Sequence, residues 1–406
     1  MIDVDEAHRV LMANVKVGPV VEVPLEDALF RTLAEPIVSD MDHPPFDRAV
    51  MDGYAVRARD VTQTPVSLRV VGQIPAGASP ETSLQAGEAM QINTGAPIPA
   101  GADAVVRVEH TVKAPDANLV EIRETVAAGK FITARGTYRG AGETVLAART
   151  LLTPLEIGVA ASVGAARIKV YAKPTVSVLA TGNELVGIDQ VPQGPQIRNS
   201  NQPFLGALIR SAHAAPVLLD TASDDREVLR GLIREGLRSD MLCVTGGISM
   251  GAFDFVPEVL ISLGATFHIH KMAIKPGRPS IFATMPDGTP VFALPGNPIS
   301  ALVGFELLVR PALAAQQGRS GVLPRLVSAT LKGSVSAVRD RRTYVPARAS
   351  VDDRGQWVAE TLSWHGSGDA LGVATANALI VRPPRADRAA DGATVSIMLL
   401  DRLQAR

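Results

Sequence analysis

From Thr175 to Arg310, short β-branched or apolar runs alternate with longer amphipathic stretches, which is the pattern of parallel α/β units. The runs Val176 to Ala180, Pro216 to Leu219, Met241 to Thr245, Ala265 to Ile269, Ser280 to Ala283 and Val291 to Leu294 are the expected strands of one sheet. Between the second and third runs, Val228/Leu229 and Leu232/Ile233, followed by Leu237, recur at helical spacing, with Ser223 placed to cap the helix. Helices are also predicted over Val256 to Leu263 and Ala301 to Leu308.

The flanking segments have a different rhythm. Between Pro44 and Gly142, turns such as Pro75-Ala76-Gly77 and Pro99-Ala100-Gly101 separate short runs like Ala104 to Val108, predicting a separate β-rich domain. Helical stretches at Leu25 to Ala34 and Pro154 to Val163 bracket it and would pack together as its base, which makes the β-rich domain an insertion. Beyond Pro324, short alternating segments that include Trp357 to Glu360 and Ala378 to Arg382 predict a small C-terminal β domain.

Composition narrows the functional classes. A chain of 406 residues exceeds what one hydrophobic core supports and should divide into roughly two to four units. Lys and Arg number 40 against 41 Asp and Glu, so no global field draws nucleic acid and any anionic ligand must be held locally. Only 4% of residues are aromatic, and no basic patch interleaved with aromatics appears. The single cysteine, Cys243, lies in an apolar strand-like run, which excludes an internal disulfide or a cysteine-based zinc site and fits a reducing cytoplasm. Residues Met1 to Glu6 lack the basic-then-apolar order of a signal peptide. The most apolar long stretch, Leu151 to Val170, is interrupted by Pro154, Glu156, Arg167 and Lys169, so no membrane span is expected.

The candidate chemistry sits after the strands. The first runs into Thr181-Gly182-Asn183-Glu184-Leu185, placing a carboxylate just past a strand's carboxyl end, where open α/β sheets bind ligands. The third runs into Gly246-Gly247-Ile248-Ser249-Met250-Gly251 and then Asp254, glycines that let backbone N–H groups face a phosphate. The fourth is followed by Lys271 and by Lys275-Pro276-Gly277-Arg278-Pro279, cations suited to phosphate oxygens. The sixth ends in Leu294-Pro295-Gly296-Asn297-Pro298-Ile299-Ser300, with Asn297 positioned to cap the next helix and aim its N–H groups at an anion. A parallel topology would bring all four loops to one sheet edge. Elsewhere, Asp52 in Met51-Asp52-Gly53-Tyr54-Ala55 is most simply a residue of a solvated turn. His268 and His270 alternate with Phe267 and Ile269, and ordinary strand packing is preferred to a metal pair.

Taken together with Asn93-Thr94-Gly95-Ala96-Pro97, these motifs, in this order, resemble the molybdopterin molybdenumtransferase family, that of MoeA and the gephyrin E domain. The resemblance covers essentially the whole chain. It implies a helix joining the central domain at 1–19 and a split linking domain at 20–43 and 143–171. It further implies a β-rich insertion at 44–142, a central α/β molybdopterin-binding domain at 172–317, and a barrel-like C-terminal β domain at 318–406. The fold class is thus α/β multi-domain around a mostly parallel sheet flanked by helices.

The activity implied is insertion of molybdate into adenylylated molybdopterin with release of AMP, by a cytoplasmic, Mg²⁺-dependent homodimer in which Asp52 reaches across the interface. Molybdopterin adenylyltransferase and molybdoenzyme maturation factors would be its partners, with no nucleic acid and no membrane. Glu184 and Asp254 would hold the metal. Lys271, Lys275 and Arg278 would bind phosphate or molybdate oxygens. Thr94, Gly182, Gly246, Gly247, Ser249, Gly251, Pro295, Gly296, Asn297, Pro298 and Ser300 would shape or contact the substrate pocket.

The chain departs from the family pattern in the insertion. Where the family reads Arg, two residues, Gly, an acidic residue and Asp, this sequence has Thr133 and Tyr138 at the Arg and Asp positions, and Arg48-Ala49 replaces Asn-Ser. Three accounts fit: a neighbour such as Arg135 or Arg139 compensates, the oxyanion differs, or activity is weakened. On the last, Thr133→Arg with Tyr138→Asp would raise turnover. The rival functions are an adenylyltransferase, which the flanking domains disfavour, a catalytically weakened pterin-binding scaffold, and a tungstate-using paralogue.

Overall fold

In the computed structural model, which describes residues 1–113, 118–248 and 255–400, the apolar runs of the central segment form one six-stranded sheet. Its order is Ala215–Leu218, Thr175–Ala180, Met241–Thr245, Pro290–Leu294, Ile281–Thr284 and Thr266–Ile269. The first four strands are parallel, Ile281–Thr284 is reversed, and Thr266–Ile269 reverses again, so its carboxyl end lies at the same edge as theirs. Met241–Thr245 and Pro290–Leu294 are buried at every position, which is why they read as unbroken apolar runs. Cys243 is among these buried residues.

Helices cover both faces. Leu229 and Ile233 of Arg226–Gly236 and Val256, Val259 and Leu260 of Val256–Ser262 fill one face. Leu205 and Ile209 of Asn201–Ser211 and the long run from Pro298 to Gln316 fill the other. The cap of Arg226–Gly236 is Asp225, whose carboxylate accepts the N–H of Glu227 and Val228 at 2.9 and 3.0 Å, and not Ser223. Ala222 is still pairing with Thr181, so Ser223 lies in the connection ahead of the helix. Helix begins at Pro298, earlier than the apolar periodicity indicated, because proline fits the first helical turn. Phe305–Val309 is a π-helical turn within that run. Among the described residues, Pro298–Gln316 is the one helix long and apolar enough to cross a membrane, and most of it is buried inside the protein.

The N-terminal helix Val4–Asn14 packs Val4, Ala7 and Leu11 into the same core. The stretch expected to be helical from Leu25 to Ala34 is not, apart from one short turn at Leu25–Asp27. Phe30 turns the backbone with φ 60°. Beyond it, Leu33 N–H donates to Thr150 O and Leu152 N–H to Arg31 O, both at 2.9 Å, so pairing with a distant segment wins over local helical propensity. This segment and helix Pro154–Ser162 still share a core containing Ala28, Leu33, Leu152 and Ala160.

The intervening chain folds as a six-stranded sheet in the order Ala104–Arg107, Gly53–Val56, Glu88–Ile92, Val66–Ile74, Leu119–Ile122, Thr111–Lys113. At the C-terminal end, Arg342–Val351, Trp357–Thr361, Leu326–Lys332, Thr394–Leu399 and Ala378–Arg382 close into a barrel, because Arg342–Val351 also pairs with Ala378–Arg382. Ile274–Lys275 of the central segment adds to the barrel's Arg342–Val351 in parallel.

Candidate active site

Three of the four singled-out loops meet in one cavity of about 650 Å³ at the carboxyl edge of the central sheet. Gly182 and Glu184 line it from the first loop, Gly246 and Gly247 from the second, and Pro295, Gly296, Asn297, Pro298 and Ser300 from the third. Ser249, Gly251 and Asp254 lie outside the described residues. The barrel contributes Gly368 and Ala370 to the same wall.

Glycine is what lets the loops meet. Gly246 and Gly247 have φ of 93° and 62°, a region that L side chains rarely adopt. A Cβ at Gly246 would stand 2.4 Å from Thr181 O, and one at Gly247 would stand 2.9 Å from Thr181 Cγ2. The Glu184 carboxylate lies over Gly182, where a Cβ would come within 2.5 Å of Oε2. Asn201 ties the second and third loops together, donating to Gly296 O at 2.6 Å and to Thr245 Oγ1 at 3.0 Å.

Asn297 occupies the cap position, but its amide donates to Ser367 Oγ at 3.0 Å and makes no cap hydrogen bond. Ile299 N–H, one of the donors expected to face an anion, is satisfied by Ser367 O at 3.0 Å. The barrel loop therefore takes over part of the anion-binding capacity that the sequence suggests for this helix start.

Asp224 gives the cavity a second carboxylate. It follows the second strand, and a reciprocal pair fixes it: Asp224 N–H donates to Asn183 Oδ1 at 3.0 Å and Asn183 N–H to Asp224 Oδ2 at 3.4 Å. Arg198 supplies a cation to the lining. Sequence reasoning passed over Asp224, Arg198 and Asn201. Asp224 was within reach of the rule that selected Glu184, because it too sits just past a strand's carboxyl end, and 198–201 is a run of four polar residues opening an amphipathic helix.

The cations of the fourth loop go elsewhere. Lys275 and Arg278 line a neighbouring cleft of about 880 Å³ between sheet and barrel, with Arg339, Arg341 and Arg382 and one carboxylate, Asp340. Pairing of Ile274 with Arg342 and of Lys275 with Thr343 draws the loop there. Pro279 and Ser300 line both cavities. Lys271 lines neither, and its carbonyl accepts Ile2 N–H at 3.1 Å.

Asp52 and Thr94 lie in the inserted domain, outside both cavities. Thr94 N–H donates to Asp52 Oδ1 at 2.6 Å, and that bond holds the exposed carboxyl below its ordinary range. His268 pairs with Thr284 Oγ1 at 2.8 Å and His270 stacks on Phe267. Among the described residues no group of three or more His, Cys, Asp or Glu side chains is placed to hold a metal. Glu184 and Asp224 both line the cavity, and one or two carboxylates completed by substrate phosphates and water is the donor set that Mg²⁺ takes.

Three family descriptions cover the chain in order: "MoeA N-terminal region (domain I and II)" over 2–164, "Probable molybdopterin binding domain" over 177–315, and "MoeA C-terminal region (domain IV)" over 328–400. A molybdopterin molybdenumtransferase of Staphylococcus aureus is 33% identical over 98% of this chain and 96% of its own. The chain belongs to the molybdopterin molybdenumtransferase family. A second such protein, from Nostoc, is 37% identical over 87% of this chain and 82% of its own. The solved MoeA protein of Pyrococcus horikosii superposes with a TM-score of 0.84 at 32% identity, covering 98% of this chain and 99% of that one. In this member of the MoeA family, the 650 Å³ cavity is lined mostly by the segment matching the molybdopterin-binding description, with Gly368 and Ala370 from the C-terminal region, and the basic cleft lies between the two.

Proposed function

We propose that the chain inserts molybdate into adenylylated molybdopterin and releases AMP, as a Mg²⁺-dependent homodimer in the cytoplasm that receives its substrate from a molybdopterin adenylyltransferase. The observation carrying this reading is the pairing of the carboxylate-bearing cavity with the cationic cleft through the shared residues Pro279 and Ser300. A substrate with a phosphoanhydride at one end and an oxyanion to be joined to it needs both. Glu184 and Asp224 would hold Mg²⁺, which lowers the cost of the charge that develops as AMP departs. The glycine turn at Gly246 and Gly247 leaves room for the diphosphate, and the Asn201 clamp keeps that turn in register with Gly296. Lys275 and Arg278 attract the divalent oxyanion into the cleft.

AMP release from adenylylated molybdopterin, followed with molybdate or tungstate titrated in, tests the proposal. Release is expected to depend on the oxyanion, with Glu184→Gln and Asp224→Asn each lowering kcat/KM by about 100-fold or more, roughly 3 kcal/mol of transition-state stabilisation. Tight binding of the adenylylated pterin without release would replace this reading with a scaffold that has lost turnover.

A further inference from the structure

The face of the inserted domain carries a cation, Arg48, for which no carboxylate partner is found among the described residues. Arg48 lies directly opposite Thr133 across a short antiparallel pair. Its guanidinium donates to Tyr138 Oη at 3.2 Å and sits 5.4 Å from the centre of that ring. The two arginines nearer Tyr138 in sequence are both engaged, Arg135 with Asp42 at 2.6 Å and Arg139 with Glu143 at 3.4 Å. Among the described residues Arg48 has a phenol for a partner and no carboxylate. Hydrogen bonds from Arg48 and then Thr133 favour the charged form of Tyr138, holding its phenol below the ordinary range.

This arginine belongs to the surface that presents Asp52. Ala49 N–H donates to Ala96 O and Gly95 N–H to Ala49 O, stitching the Arg48 strand to the turn whose Thr94 N–H holds the Asp52 carboxylate. The same stretch exposes apolar side chains, with Phe46 43%, Val50 41%, Met51 39% and Tyr138 59% accessible. If these side chains form one contiguous patch, they are of the kind that a partner surface covers. A guanidinium oriented on a phenol keeps most of its planar N–H fork for a tetrahedral oxyanion.

We propose that Arg48, oriented by Tyr138 and Thr133, contacts the tetrahedral oxyanion of the substrate from the inserted domain of one subunit in the cavity of the other. The positive charge absent at Thr133 is thus supplied from the opposite strand and not from Arg135 or Arg139. The inference rests on the dimeric transferase reading above. It also reverses the sequence-based expectation for Thr133→Arg with Tyr138→Asp: adding a second guanidinium opposite Arg48 brings no gain.

The test measures Arg48→Ala and the relocation Arg48→Thr with Thr133→Arg in the full-length protein. AMP release is read against molybdate and adenylylated pterin separately, alongside calorimetric binding of molybdate and of AMP. Arg48→Ala is expected to raise KM or Kd about ten-fold or more, the loss of one charge-assisted contact, and the relocation to recover most of it. A shift confined to molybdate assigns the contact to the oxyanion substrate, and one confined to the pterin and AMP assigns it to phosphate. Constants unchanged within two-fold in folded Arg48→Ala, or no recovery on relocation, overturn the proposal. A wild-type protein that releases no AMP sinks the transferase reading, while the binding arm still decides the role of Arg48.

Discussion

At Gly53 the backbone of the inserted domain approaches its neighbour so closely that a Cβ would fall 1.9 Å from Val106 O and 3.0 Å from Arg107 Cα. No rotamer change relieves a clash with backbone, so the strands themselves would have to part. Gly53→Ala is therefore expected to destabilise the inserted domain by about 3 kcal/mol, the upper range for overpacking, and to move the adjacent Asp52. Urea unfolding followed through the inserted domain checks this, and a midpoint equal to wild type would contradict the cross-strand contact. The motif holding Gly53 was visible in the sequence. The reason for the glycine was not, because the strand that excludes a side chain is fixed only by folding.

Elements were legible where burial imposes a long pattern. All six central strands and the helices over Val256–Ser262 and Pro154–Ser162 fall where their apolar runs place them. Leu25 to Ala34 failed because its long-range hydrogen bonds go to 149–152 and 166–171, distant segments that no local periodicity reveals. The loops after the strands were legible as candidates by position alone. Their sorting into two cavities was not, since it depends on Lys275 pairing with the barrel and on the barrel loop at Ser367 taking Asn297 and Ile299 N–H. Asn201 shows the same limit: nothing local marks an asparagine at a helix start as a clamp between loops. Asn201→Ala removes both hydrogen bonds and leaves Gly296 O and Thr245 Oγ1 to water, at about 1–3 kcal/mol of local order. Thermal stability should fall slightly while kcat/KM for AMP release falls about ten-fold or more, and a variant with unchanged kinetics would remove Asn201 from the site.

Across the whole molecule, the N-terminal segment links the core helix, the cationic loop and the barrel. Ile2 N–H donates to Lys271 O at 3.1 Å and Ala273 N–H to Ile2 O at 2.7 Å, bracketing the start of the loop that ends at Arg278. His8 Nε2 donates to Leu307 O at 2.9 Å within the π-helical turn, and Asp5 pairs with Arg342 of the barrel at 3.2 Å. Acid acts on both ties in the same sense. Burial depresses His8 below 6.5, so the stability of its neutral, docked form is present above that value and is lost as pH falls through the depressed one. The Arg342 hydrogen bond depresses Asp5 below 3.8, so its contribution persists to lower pH and is lost as pH falls through that second, lower value. Undocking of Val4–Asn14 should therefore proceed in two steps, with the first below pH 6.5 set by the cost of charging His8 where it is buried beside Leu307, and the second releasing the barrel. Amide exchange at Phe305–Val309 and at Ala273, compared from pH 7 to about pH 2 after correction for intrinsic rates, reports both. His8→Gln should abolish the first step and Asp5→Asn the second. Protection that stays constant across this range would mean that neither side chain governs docking, and that burial of Val4, Ala7 and Leu11 holds the helix alone.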